Sequence, residues 1–210
     1  MTSDQLLIYG LPLLAYLLGS VPWGIILTRL FTDVDIRRSG SGNIGATNVA
    51  RAAGPILGLA TLGLDFFKGW APVAMAWNLG LPAGVIEPYS VMLVLLTVGG
   101  HLFPVYTRLK GGGKGVATAA GAFYVLAPPA VWIGLGVFGL VSMLTRRVSA
   151  GSLAAAVALP IAVFSVSGAA VYGVGAAIVS VFIFIRHRGN IRRLRAGTEL
   201  PFRFGTKSDR

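Results

Sequence analysis

Long apolar runs separated by short polar connections set the pattern of this chain. Seven runs are candidates for helices that cross a bilayer: 6–30, 56–79, 85–105, 116–127, 130–145, 153–166 and 170–185. A hydrocarbon core of roughly 30 Å takes about 20 helical residues, and several of these runs approach or exceed that length. The run 116–127 falls short, and Pro128-Pro129 supplies a turn after it, so 116–145 reads either as two spans or as a re-entrant hairpin. The expected fold is an all-α integral membrane protein with seven transmembrane helices, or five plus that hairpin. No linker or internal repeat divides the chain, so 1–210 reads as one domain ending in a basic tail, 186–210.

Charge gives the runs a direction. Apart from Lys68, Lys and Arg fall at Arg29, at the end of the first run, at Arg37, Arg38 and Arg51, then at 108–114, then at Arg146 and Arg147, and from Arg186 onward. The connections 80–88, 128–129 and 167–168 hold none, and none precedes Arg29. Under the positive-inside rule the N-terminus lies outside, and the basic loops and C-terminus lie in the cytoplasm. Nothing positive precedes the first run, so it is not a signal peptide.

Composition narrows the function. A chain that is 55% hydrophobic and 12% charged, with mean hydropathy +0.76, is not a soluble globule. Its net charge of +11 would suit a nucleic-acid binder, but the placement in alternate inter-helix loops accounts for it and no nucleic-acid partner is expected. The absence of cysteine excludes disulfides, a thiolate nucleophile and Cys-bound metal.

Three basic loops carry more than topology demands. The first, Arg37 to Arg51, holds Gly40-x-Gly42-x-x-Gly45 with Asp65 at the distance of a dinucleotide fingerprint. That reading fails, because membrane spans rather than a βαβ unit flank the motif. A Gly/Ser-rich turn entering a helix near Asn43 still offers free N–H groups to an anion. Ser39, Ser41 and Thr47 add hydroxyls, and Asn48 and Arg51 share a helical face; a capped turn between spans is the alternative. The second, Lys110-Gly111-Gly112-Gly113-Lys114-Gly115, is not a Walker loop, yet glycines beside a lysine at a helix start can converge on a phosphate. Flexible, topogenic punctuation is the alternative there. The third, Arg186-His187-Arg188-Gly189-Asn190 through Glu199, places His187 and Asn190 one helical turn apart, on the side of Ile191 and Leu194. A basic segment attracted to anionic lipid is the competing account.

Lesser features read as structural. Arg146-Arg147-Val148-Ser149 ends one run and could lend a serine hydroxyl. Asp65 and Lys68, three apart within a run, are expected to pair, and His101 to pack or hydrogen-bond against a neighbouring helix. Three phosphate-compatible loops facing one compartment favour a phosphate-handling site over a transporter, which would break its helices near the midplane, or a lipid-binding scaffold.

The runs Gly40-Ser-Gly-Asn-Ile-Gly-Ala-Thr-Asn48, Gly112-Gly-Lys-Gly-Val-Ala-Thr118 and Arg186-His-Arg-x-Asn-Ile-x-Arg-Leu194 together resemble the bacterial PlsY family of acyl-phosphate:glycerol-3-phosphate acyltransferases. The resemblance covers essentially the whole chain. Lys110 to Lys114 is one glycine longer than the family's usual Lys-Gly-Gly-Lys. The resemblance implies transfer of a fatty acyl group from acyl phosphate to the 1-hydroxyl of sn-glycerol 3-phosphate, giving lysophosphatidic acid, at the cytoplasmic face of the bacterial inner membrane. It implies a site formed by Ser41, Arg51, Lys114, Ser149, His187 and Asn190. His187, Asn190 and Ser41 would be catalytic, and Gly42, Asn43, Gly45, Thr47, Asn48, Gly112 and Gly113 would help hold phosphate. No cofactor, metal or obligatory protein partner is expected, only the two substrates and the bilayer. His187, with a reference pKa near 6.5, suits the general base, as does a substrate phosphate oxygen.

Overall fold

The computed structural model describes residues 3–201. The helices run α1 (Ser3–Ser20), α2 (Trp23–Phe31), α3 (Ala46–Ala53), α4 (Pro55–Trp77), α5 (Ala83–Leu102), α6 (Val116–Leu126), α7 (Pro128–Thr145), α8 (Val148–Ser167), α9 (Ala170–Arg186) and α10 (Arg188–Arg195). A 3-10 turn, Val105–Thr107, follows α5, and no strand occurs among the described residues. Residues 202–210 of the expected basic tail lie outside the described residues.

Three segments are long and apolar enough to cross a membrane: Ala83–Thr107, Pro128–Thr145 and Val148–Ser167. Two bent pairs, 7–31 and 170–195, raise the number to five if each counts as one span. The first expected span is therefore not a single helix. Pro22 cannot donate an amide hydrogen bond to the preceding turn, and α1 and α2 meet there at 46°. The last span also bends, by 60° at His187, so α10 leaves the axis of α9 rather than continuing it. At 11 residues, α6 rises only about 16 Å, as its short apolar run suggested.

Water is not the solvent of the outer surface. Ile56, Leu59, Leu13, Met143, Leu144 and Phe164 are each more than 60% exposed, a density of large apolar side chains that suits lipid. The interior is built mostly from small and β-branched residues such as Ala15, Val73, Val94, Val98, Ala122 and Ala176, with Phe123 and several leucines among them. Without a hydrophobic force between helices in lipid, close backbone approach supplies the packing. Gly19 lies against the Thr97 backbone, Gly69 against that of Thr118, and Gly121 against that of Phe66, so closely that a Cβ at any of them would collide.

These contacts also orient the bundle. Tyr89 reaches the Ile8 carbonyl and Tyr16 reaches that of Phe103, so α1 and α5 are parallel. Gly175 packs on Val91 while Arg186 reaches the loop after α5, so α9 runs the same way. Gly151 packs on Ser142 and Phe138, which makes α7 and α8 an antiparallel hairpin. The C-terminal ends of α5, α7 and α9 and the N-terminal ends of α4 and α8 thus gather at one end of the bundle, with the basic loops.

Candidate active site

The first loop is shaped by one buried side chain. Asn48, 2% exposed on α3, accepts from the Ser41 amide at 2.9 Å through Oδ1. Its Nδ2 faces the carbonyls of Ser39 and Asn43 at 2.9 Å and of Ile36 at 3.2 Å. Gly40 and Gly42 supply the left-handed turns, at φ 59° and 69°, that let the loop wrap this amide. Asn43 Oδ1 accepts from the Gly45 amide at 2.9 Å, so α3 begins at Ala46 rather than near Asn43. Its Nδ2 and the exposed Ser41 hydroxyl remain available to a ligand.

The glycine loop is bound from both sides. Gly113 donates its amide to the His101 carbonyl at 3.1 Å, and a Cβ on Gly112 or Gly113 would collide with the end of α5. Arg186 donates through Nε to the Gly113 carbonyl at 3.0 Å and through its terminal nitrogen to the Gly112 carbonyl. The expected cradle of glycine amides is therefore corrected in part: these glycines serve close packing, and the Gly113 amide is already committed. Gly115, in the left-handed region at φ 83°, opens α6. Lys114 makes no hydrogen bond or ion pair with another described residue and keeps its ammonium free.

The third segment is organised around an acid to which the sequence motifs gave no role. Glu199, 5% exposed, accepts from Ser149 Oγ at 2.7 Å, from Asn190 Nδ2 at 2.5 Å and from Arg193 Nε at 2.7 Å. Burial alone would raise its carboxyl, but these bonds outweigh it and hold the pKa below the ordinary value. Arg51 extends the junction by donating to the Leu200 and Pro201 carbonyls, both at 3.3 Å. One carboxylate thus ties α8 and α10 together, beside the arginine of α3. A single acid within a strongly basic stretch was the available signal for it.

A cavity of about 270 Å³ opens between the three loops. Ser41, Gly42, Asn43, Gly112, Lys114 and Asn190 line it, together with Gly111, Arg186, Gly189 and Arg193, which the sequence reading left without a role, whereas Gly113 and His187 do not. Burial pushes the Lys114 ammonium down to about 8; Glu199 opposes that, and Arg193, Arg51 and Arg186 add to it. His187, the first residue past α9, is 1% exposed, and its Nδ1 donates to the Ile183 carbonyl at 2.8 Å, leaving Nε2 as the acceptor. Burial first, and the Lys114 charge second, bring its pKa down to about 4 against the opposing pull of the Ile183 bond and Glu199. It is neutral at pH 7, well below the value near 6.5 expected for it.

Of the other residues singled out, Arg51 and Ser149 reach the site through the Glu199 junction, and Asn48 and Gly45 shape the first loop from behind. Thr47, half-buried in the first turn of α3, does not line the cavity. Cations, hydroxyls and amides thus converge on one cavity, and no cluster of three or more His, Asp or Glu side chains occurs among the described residues.

Known proteins resemble this chain in sequence and in fold. The profile described as glycerol-3-phosphate acyltransferase matches residues 9–197. Glycerol-3-phosphate acyltransferases of Trichlorobacter lovleyi and Syntrophotalea carbinolica are 43% and 45% identical, over 90% and 93% of this chain and 94% and 97% of theirs. Two crystal structures of PlsY (YgiH), an integral membrane glycerol 3-phosphate acyltransferase, each share 34% identity with this chain and cover 93% of it. The glycerol 3-phosphate form has a TM-score of 0.86 with 96% of its chain covered, and the lysophosphatidic acid form 0.84 with 95%. This multi-pass membrane protein belongs to the glycerol-3-phosphate acyltransferase family.

Proposed function

We propose that this enzyme moves a fatty acyl group from acyl phosphate to the 1-hydroxyl of sn-glycerol 3-phosphate, releasing lysophosphatidic acid and phosphate. The observation that carries the reading is the cavity itself, where residues of all three basic loops meet and Lys114 stands as an uncommitted cation. Glycerol 3-phosphate sits there with its phosphate at Lys114, Ser41 and Asn43, and Asn190 addresses the glycerol hydroxyls. The acyl chain lies along the exposed apolar faces of the helices. The chain is a single domain crossing the bacterial inner membrane seven times, or five with α6 and α7 as a re-entrant hairpin, with the N-terminus outside and the cavity in the cytoplasm. The gathering of every basic loop at one end of the bundle supports that sidedness.

Chemically, the glycerol oxygen attacks the acyl carbonyl, the new C–O ester bond forms, and the bond from acyl carbon to phosphate oxygen breaks with its electron pair leaving on phosphate. Acyl phosphate is already activated, so a covalent enzyme intermediate is not required. Positioning and charge stabilisation by Lys114 and the arginines supply the catalysis. The proton passes to a substrate phosphate oxygen, whose second pKa of about 6 makes it a stronger base than His187 in this environment. His187, buried and outside the cavity lining, then serves to hold the turn between α9 and α10 that presents Asn190. Purified protein given acyl phosphate and labelled glycerol 3-phosphate should form labelled lysophosphatidic acid; folded protein yielding none would defeat the reading. A stable acylated enzyme trapped from acyl phosphate alone would sink direct transfer.

A further inference from the structure

Asp65, Lys68 and His101 line no part of the cavity, yet they form an ionic cluster inside the bundle, each 4–5% exposed. Lys68 Nζ lies 2.9 Å from Asp65 Oδ1 and donates to the Val21 carbonyl at 2.8 Å, where α1 breaks ahead of Pro22. His101 Nδ1 stands 3.7 Å from the same carboxylate oxygen. Charged groups at such depth are costly, and apolar residues of the same volume would pack as well or better. Packing alone therefore does not explain them.

Their position gives a reason. The far side of the His101 ring is the floor of the glycine loop: the Gly113 α-carbon rests against it so closely that a methyl group there would collide with Nε2. The His101 carbonyl takes the Gly113 amide at 3.1 Å, and the Gly113 carbonyl in turn takes Arg186 Nε at 3.0 Å. One residue further on, Lys114 reaches the cavity. We infer that Asp65, Lys68 and His101 are positioning residues for the glycine loop. The ion pair fixes the His101 ring, the ring sets how closely the loop seats against α5, and that seating places the Lys114 ammonium where the phosphate binds. The inference rests on the reading of the cavity as the glycerol 3-phosphate site.

A compensation experiment tests it. Gly113→Ala forces the loop off the ring, and a displacement near 1 Å at Lys114 should lower kcat/KM for glycerol 3-phosphate by about 100-fold. His101→Ala removes the floor, and should raise KM for glycerol 3-phosphate by about tenfold while kcat stays within about twofold. In His101→Ala/Gly113→Ala the added methyl has room, and at least about tenfold of the lost kcat/KM should return. Lys68→Arg, which keeps the pair, should keep a near-normal KM, whereas Lys68→Met should raise it. A double variant no better than Gly113→Ala would overturn the inference, as would a His101→Ala chain that no longer purifies as a monodisperse folded protein, since that would assign the histidine to the fold alone. Wild-type protein making no lysophosphatidic acid would instead defeat the functional reading, so the two failures are distinguishable.

Discussion

Replacing Glu199 by alanine tests how the site is held together. The carboxylate is 5% exposed and accepts three hydrogen bonds, from Ser149, Asn190 and Arg193 at 2.5–2.7 Å. In the alanine variant the Ser149 hydroxyl and the Asn190 amide keep their burial and lose their acceptor, at about 1–2 kcal/mol each. Arg193 is 40% exposed, so water recovers most of its interaction and it adds only about 0.5 kcal/mol. The sum, about 2.5–4.5 kcal/mol, should lower the unfolding midpoint by about 10 °C for a chain of this size. Glu199→Gln keeps an oxygen for Ser149 and Asn190 but turns an amide toward Arg193 or water, and should cost about 1 kcal/mol. Tryptophan fluorescence of the detergent-purified protein on heating reads the midpoint. Lysophosphatidic acid formation well below both midpoints reads the site, where loss of Asn190 orientation should cost about 100-fold in kcat/KM. An alanine variant that melts within about 2 °C of wild type would refute the reasoning, because the three bonds would then contribute almost nothing.

Three further outcomes follow from the same geometry. Phosphate binding needs Lys114 protonated; its pKa of about 8 means that the free enzyme loses that proton as pH rises through 8, so KM for glycerol 3-phosphate should climb toward tenfold per pH unit above it. Lys114→Arg should move the climb beyond pH 10, because guanidinium stays charged, and an unmoved profile would refute the assignment. Asn48→Ala should raise the same KM by about tenfold through collapse of the first loop. Asn48→Asp should not rescue it, since an oxygen would then face the Ser39 and Asn43 carbonyls. His187→Gln should lower kcat by less than about tenfold, whereas a drop of 100-fold or more would make His187 the general base after all.

What could be read from the chain, and what could not, divides by range. Apolar runs and basic loops are local signals, and they marked the long apolar helices and the three basic loops that meet at the cavity. The break at Pro22 was visible as a proline, but within a continuous apolar run nothing showed that α2 would turn by 46°. Gly112 and Gly113 read as phosphate-binding because that use leaves a local pattern; their packing against His101 and Leu102 does not, since it depends on how α5 ends. Glu199 was part of the third motif but had no role there for the same reason, because its partner Ser149 is fifty positions away on another helix. The Asp65–Lys68 pair, three apart on one helix, was legible, whereas the Val21 carbonyl and the His101 ring that complete the cluster were not.

The way the cations are neutralised bears on turnover. Arg186 is held by two carbonyls, Arg193 by Glu199 and Arg51 by the carbonyls of Leu200 and Pro201, so before any ligand enters most of the positive charge is already answered. Among these described cations around the cavity, Lys114 has no such partner, and burial leaves its charge only partly secured at pH 8. An enzyme of the proposed kind must bind two phosphates and let both products go, and several free arginines in a desolvated site would hold inorganic phosphate after transfer. Prior commitment to backbone carbonyls, and for Arg193 to the Glu199 carboxylate, keeps the guanidiniums placed and electrostatically useful while reducing what each gains from a bound anion. The transition state, in which charge develops on the departing phosphate, then gains most from the one cation free to follow it.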